Sequence, residues 1–202
     1  MSLTLVSAAP AYPVTLAEAK AHLRLDTSDD DALVDALIAA ATAHLDGRDG
    51  WLGRALVQQT WDLKLHRFPG VIDVPLPPLQ SVTSITYLDS NNVSQTLATS
   101  KYQVDGNGQW RARIKPAYGE TWPSTYDAWN AVTVRFVAGY EPGSGSPTDY
   151  AENVPQPIKH ALLLLISHWY ENRAPVNIGN IVSALPMTVD ALLAPYRVMS
   201  FA

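Results

Sequence analysis

The sequence predicts an α+β protein: an antiparallel helical bundle of about four helices, with a small antiparallel β domain inserted between the second and third helices. Three observations carry that expectation. Apolar residues recur at helical spacing through residues 15 to 47, alternate with polar ones from about residue 55 to 140, and return to helical spacing from 157 to 172. The expected division is an N-terminal helical hairpin (1–54), an inserted β domain (55–140), and a linker, C-terminal helix and arm (141–202) that complete the helical domain.

Thr15 followed three residues later by Glu18 forms a capping box, and Leu16, Ala19 and Leu23 repeat behind it, so a first helix ends near Leu25. Thr27 or Ser28 then caps a second helix. Its first turn is expected to hold Asp29, Asp30 and Asp31, where carboxylates favour the positive end of the helix dipole. Val34, Leu37, Ile38, Ala41 and Leu45 make its apolar stripe, and Gly47 is placed to end it.

The period then changes. Val57, Gln59, Trp61, Leu63 and Leu65 alternate with Gln58, Thr60, Asp62, Lys64 and His66, as in a half-buried strand. Further strands are expected at 71–74, 82–88, 93–97, 102–104, 110–115 and 131–139, with Asp89, Ser90, Asn91 and Asn92 as a tight turn. Pro75, Pro77 and Pro78 interrupt the ladder. Residues 141 to 153 are rich in Gly, Ser and Pro and read as a linker. Pro157 suits a first helical turn; Ile158, Ala161, Leu162, Leu165, Ile166 and Trp169 then give a broad apolar face, stopped by Ala174 and Pro175. Thr188 is placed to cap a last short helix through Leu193, ended by Pro195.

With 202 residues, 47% of them hydrophobic and 16% charged, the chain has the profile of a globular protein large enough to bury a core without staples. Cysteine is absent, which excludes a disulfide scaffold, a thiolate zinc site and a cysteine nucleophile. The longest aliphatic run, 161 to 166, is far too short to span a bilayer, so no membrane is expected as a partner. Residues 3 to 11 are mildly apolar without a preceding basic stretch, which argues against a signal peptide and for a cytoplasmic location. Charge is segregated: residues 1 to 50 hold three basic and eight acidic side chains, matching the whole net charge of -5. Such a distribution implies faces with different neighbours, or simply a solvated acidic helix.

No motif of catalysis or cofactor binding emerges. The five histidines lack close metal-ligand spacing, and Glu171, three residues after His168, is the one carboxylate at helical distance from His160 or His168. Three consecutive aspartates splay around a helix and lack the central glycine of a calcium loop. Gly106 and Gly108 precede a strand pattern rather than the helix a dinucleotide site requires. The expectation is no catalytic residue, no metal and no cofactor.

Arg111, Arg113 and Lys115 share one expected strand face, opposite Trp110, Ala112 and Ile114. That is a nucleic-acid stripe or, with no aromatic on the basic face, an ordinary solvated one. Tyr118, Trp122, Tyr126 and Trp129 make either a sugar-stacking platform or a set of loop anchors. Leu185, Met187, Val189, Leu192, Leu193, Tyr196, Val198, Met199 and Phe201 crowd the C-terminal stretch. Such an arm either packs back on its own chain or docks on another subunit or partner.

The order of several segments resembles a known family. Pro13-Val14-Thr15-Leu16-Ala17-Glu18-Ala19-Lys20-Ala21-His22-Leu23, the Asp29-Asp30-Asp31 helix start, Pro75-Leu76-Pro77-Pro78-Leu79-Gln80-Ser81-Val82, residues 158 to 173 and residues 186 to 197 are similar to the head-tail connector (adaptor) proteins of tailed bacteriophages, including the gene transfer agent adaptor. The resemblance covers most of the chain. It implies a non-enzymatic subunit of a tailed phage, prophage or gene transfer agent, made in the bacterial cytoplasm and placed in the virion neck.

The resemblance further implies a homo-oligomeric ring, expected as a dodecamer, joining the portal of the DNA-filled head to a stopper or tail-completion protein. DNA would pass through the lumen without sequence-specific binding. On this reading Leu185, Met187, Val189, Leu192, Leu193, Tyr196 and Phe201 form a portal-docking arm, loosely held before docking, and Asp29, Asp30 and Asp31 form an acidic cluster at the lumen. The alternative is a carbohydrate- or receptor-binding tail module using Trp122 and Trp129.

Overall fold

The first helix starts where the capping box is. In the computed structural model, which describes residues 1–106, 110–145, 147–172 and 187–198, Thr15 and Glu18 satisfy each other's backbone N–H groups at 2.7 and 3.2 Å. This arrangement stabilises a helix start by about 1 kcal/mol. Helix α1, Leu16–Leu23, ends at Arg24, which takes the left-handed conformation usually left to glycine.

Helix α2, Asp31–Leu45, begins later than expected. Neither Thr27 nor Ser28 caps it: the Ser28 carbonyl accepts the Asp31 N–H in a preceding turn, and Asp30 holds the cap position without a side-chain cap bond. The Asp30 carboxylate accepts from the Tyr170 hydroxyl instead. Of the three aspartates, Asp31 alone lies in the first turn.

Val34, Ile38, Ala41 and Leu45 are buried, as are Ile158, Ala161, Leu162, Leu165 and Ile166 of α3, Gln156–Glu171. Helices α1, α2 and α3 pack on one another: His22 meets His160 edge-on at 6.2 Å, and His44 meets Trp169 at 6.3 Å. Lys159, also buried, places its amine 3.9 Å from the Glu18 carboxylate. Helix α4, Met187–Leu193, packs on α3. It starts one residue before Thr188, so Thr188 is inside the helix and not its cap. A 3-10 turn, Ala194–Tyr196, follows and takes Pro195 into its first turn.

The β segment holds two antiparallel sheets. Strands β1 (Ser2–Ser7), β2 (Gln59–Leu65), β4 (Leu79–Leu88), β5 (Ser94–Thr96) and β8 (Val132–Ala138) form one in the order β1-β2-β8-β4-β5. Strands β3 (Ile72–Val74), β6 (Tyr102–Asp105) and β7 (Ala112–Pro116) form the other in the order β3-β7-β6. Trp61 and Leu63 stand opposite Phe136 and Val134 on the buried face of the larger sheet, and Ile85 completes that row from β4. On its other face Arg135 grips Asp62 with two bonds of 2.8 and 2.9 Å.

Strand β1 is the unexpected element. Ser2, Leu3, Thr4 and Leu5 alternate in the two-residue period, with Leu3 opposite Leu63 and Leu5 opposite Trp61. Trp110 departs from expectation in the opposite sense. It lies outside β7 and is 67% exposed, while Ala112 and Ile114 are buried.

By contacts the chain forms two compact units: a β unit of Met1–Pro10 and Val57–Glu141, and a helical unit of Ala11–Leu56 and Pro142–Ala202. Within the β unit Val57 and Tyr140 pair as an isolated bridge. Between them Gly139, at φ +112°, has no room for a side chain, since a Cβ would sit 2.3 Å from the Val57 carbonyl oxygen.

Two outcomes follow. Leu165→Ala should lower the stability of the helical unit by about 2–5 kcal/mol in urea titration, and a change under about 0.5 kcal/mol would place Leu165 outside its core. The turn at Asp89 gives the second. The Gln95 amide, then the Val93 and Asn91 N–H groups, hold the Asp89 carboxyl below the usual carboxylate range. A depressed folded value means the contribution is present at neutral pH and lost as pH falls through that value. Carboxyl NMR titration should find Asp89 ionising below free aspartate, and an ordinary value would contradict the turn geometry.

Candidate functional site

The residues that sequence reading raised for chemistry do not converge. Among the described residues no group of three or more His, Asp or Glu side chains gathers to hold a metal, and no helix is long and apolar enough to cross a membrane. The candidate site is therefore a set of surfaces.

The basic strand is partly neutralised by its neighbours. In the β3-β7-β6 sheet Arg113 stands between Asp73 and Asp105 in register, with its guanidinium 3.3 Å from Asp105. Arg111, Arg113 and Lys115 are exposed, as a solvated strand face would be. The aromatic set divides. Trp122 stacks on Phe68 at 4.7 Å and is a loop anchor, whereas Trp129, edge-on to His66 at 4.2 Å, remains 82% exposed. Tyr118 is 99% exposed at a turn closed by the Glu120 N–H to the Ala117 carbonyl. Gly108 lies outside the described residues.

The three aspartates have different surroundings. Asp31 bonds Lys20 at 2.5 Å and Asp30 accepts from Tyr170, while Asp29 is exposed. Asp26 and Asp35 add exposed carboxylates on the same stretch.

At the C-terminal arm, Leu185, Phe201 and the Met187 side chain lie outside the described residues. Val189 and Leu193 are fully buried within the helical unit itself, so they are core here and are not offered to a partner unless the arm is displaced. Leu192 and Tyr196 are half-buried. What seats the segment is Arg54, which sequence reading did not single out. It is fully buried, donates from Nε to the Tyr196 carbonyl at 2.7 Å, and lies 5.9 Å from that residue's ring.

Two neighbours extend the clasp. The Val198 N–H donates to the Leu52 carbonyl at 2.9 Å, and the Arg197 guanidinium lies 4.3 Å over the Trp51 ring. The signal was one cation in the apolar run Trp51-Leu52-Gly53-Arg54-Ala55-Leu56, because a cation that folds inward must find acceptors. The loop behind it is tight: a Cβ on Gly50 would meet the Asp46 carbonyl oxygen at 2.3 Å.

Arg54→Ala should cost about 3 kcal/mol, by leaving the Tyr196 carbonyl without its donor and a space in the core. The Val198 amide should lose its protection from hydrogen exchange. Undiminished protection would show that Arg54 does not hold the segment.

Residues 13–115, just over half of the chain, match the family described as phage gp6-like head-tail connector protein. Solved structures of similar fold come from gene transfer agent (GTA) particles. A chain of a native GTA virion superposes with a TM-score of 0.76 at 26% identity, covering 100% of this chain and 98% of that one. A chain from the neck of an empty GTA particle, computed with C6 symmetry, gives 0.75 at 24% identity with the same coverage. One from the neck of a native GTA particle, computed with C12 symmetry, gives 0.70 at 24%, again covering 100% of this chain and 98% of that one. No curated protein sequence matches the chain significantly. The family match and the full-length likeness agree, and the chain belongs to the phage gp6-like head-tail connector family as a structural head-tail connector.

Proposed function

We propose that the chain is one subunit of a closed ring of about twelve copies in the virion neck of a tailed phage, prophage or gene transfer agent. The ring sits below the portal of the DNA-filled head and above a stopper or tail-completion protein. It is made in the host cytoplasm and catalyses nothing. The observation that carries this reading is the likeness along the whole chain, β segment included, to chains of GTA necks, one of them computed with C12 symmetry.

The same proposal covers the parts of the chain. Two helices, an inserted β domain and two further helices make one helical domain interrupted between α2 and α3. The C-terminal arm faces the portal. With Val189 and Leu193 buried, its docking surface is the outer side that carries Leu192 and Tyr196, unless docking frees the segment. The acidic stretch of Asp26, Asp29 and Asp35, with Asp30 and Asp31 beside it, lines the lumen or its rim. Negative charge there keeps the DNA phosphates from adhering during passage.

Removing the gene from the producing bacterium should yield DNA-filled heads without tails, with tail joining restored by the full-length chain. Leu192→Asp should fold normally and fail to restore it. Tailed, transducing particles in the gene's absence would overturn the connector reading. Full rescue by Leu192→Asp would remove the arm's outer side from the docking surface.

A further inference from the structure

One large aromatic side chain is held out into solvent by a built support. Trp129 is 82% exposed, yet its loop is pinned on both sides to the end of β4: the Leu88 carbonyl accepts from the Tyr126 N–H, and the Leu88 N–H donates to the Ala131 carbonyl. Asn130 turns the chain in the left-handed conformation and donates its N–H to His66 Nδ1 at 3.3 Å, and the His66 ring meets the Trp129 ring edge-on at 4.2 Å. The indole N–H makes no hydrogen bond to any described residue. A tryptophan supported in this way loses little further freedom when a partner arrives, which is what an interface anchor requires.

The same β unit carries a groove whose chemistry suits an indole. At the β3-β7-β6 sheet it is lined by Val71, Gln103, Val104, Asp105, Arg113 and Lys115, and Trp129 is not among its walls. Val71 and Val104 are exposed apolar surface. Lys115 forms no ion pair among the described residues, and Arg113 has the exposed contact with Asp105. Cations are attracted to the face of an indole, and a carboxylate accepts its N–H. Knob and groove are therefore complementary: valines for the ring edge, Arg113 and Lys115 for its face, Asp105 for its N–H.

We infer that Trp129 of one copy seats in this groove on the next copy of the chain. This rests on the ring reading above and names a contact within it. Like patches paired together give a two-fold dimer that ends there, whereas a knob and a socket on different parts of one chain give a head-to-tail contact that repeats and closes as a ring.

The absence of cysteine makes the test direct. Asp127, in the Trp129 loop, and Gln103, in the groove, are both exposed. Asp127→Cys and Gln103→Cys, combined in the full chain and treated with a short bismaleimide in necks assembled on purified portal, should give a covalent ladder extending beyond the dimer. Each single variant should give none. Rings that assemble without the ladder, or dimers from either single variant, would overturn the inference and leave the ring standing.

Adding Trp129→Ala or Lys115→Glu to the cysteine pair should abolish the ladder while the melt stays that of the unaltered chain, and Trp129→Phe should keep part of it. An undiminished ladder from Trp129→Ala or from Lys115→Glu would overturn the inference. So would intact rings in which Trp129→Ala removes only DNA retention or glycan binding, since the tryptophan would then have another partner. Failure of the unaltered chain to form a ring even on purified portal would remove the ring reading, and the inference with it.

Discussion

Neither α2 nor α3 can bury its apolar face alone, and everything else in the helical unit is arranged around their mutual burial. Ile38 and Leu45 on one helix, and Leu162 and Leu165 on the other, are fully buried although more than a hundred residues separate the helices. Each such side chain contributes about 1.5–3 kcal/mol on leaving water. The chain must therefore return, after building a whole β unit, close to where it left. Within that unit the pinch is visible: Val57 and Tyr140 pair as an isolated bridge, and Gly139 is the residue that lets the two segments come so close.

The second constraint is the desolvated Arg54. A guanidinium taken fully out of water stabilises a structure only through the acceptors it meets, so the loop before the β unit fixes the position of residues 196 to 198 at the far end of the sequence. The terminal segment is thus tied to the helical core by specific polar contacts as well as by Val189 and Leu193. The consequence is a preorganised terminal segment, whose ordering cost is already met by the fold.

Features set by neighbours in sequence were legible. The capping box at Thr15 and Glu18, the alternation through β2 and the Asp89 turn all depend on residues a few positions apart, and each stands near where it was expected. Features set by distant partners were not. Asp30 gives its carboxylate to Tyr170 rather than to the helix start, and no local pattern announces that. Strand β1 was readable in principle from Ser2-Leu3-Thr4-Leu5, but one short alternation without its partner is weak, and its apolar character was weighed only against a signal peptide, which it did not support. The C-terminal arm shows the same limit. Its spacing marked it as buried against something, and composition alone does not say whether that surface is its own chain or another.

The central claim is that this chain forms the cyclic connector between head and tail. Electron cryomicroscopy of the particle produced by its own gene cluster, reconstructed at the neck with and without imposed symmetry, tests it most directly. The account predicts density fitting this fold in about twelve copies around the DNA channel immediately beneath the portal. Density for this chain at the tail tip or in the capsid shell, or a neck built without it, would contradict the claim.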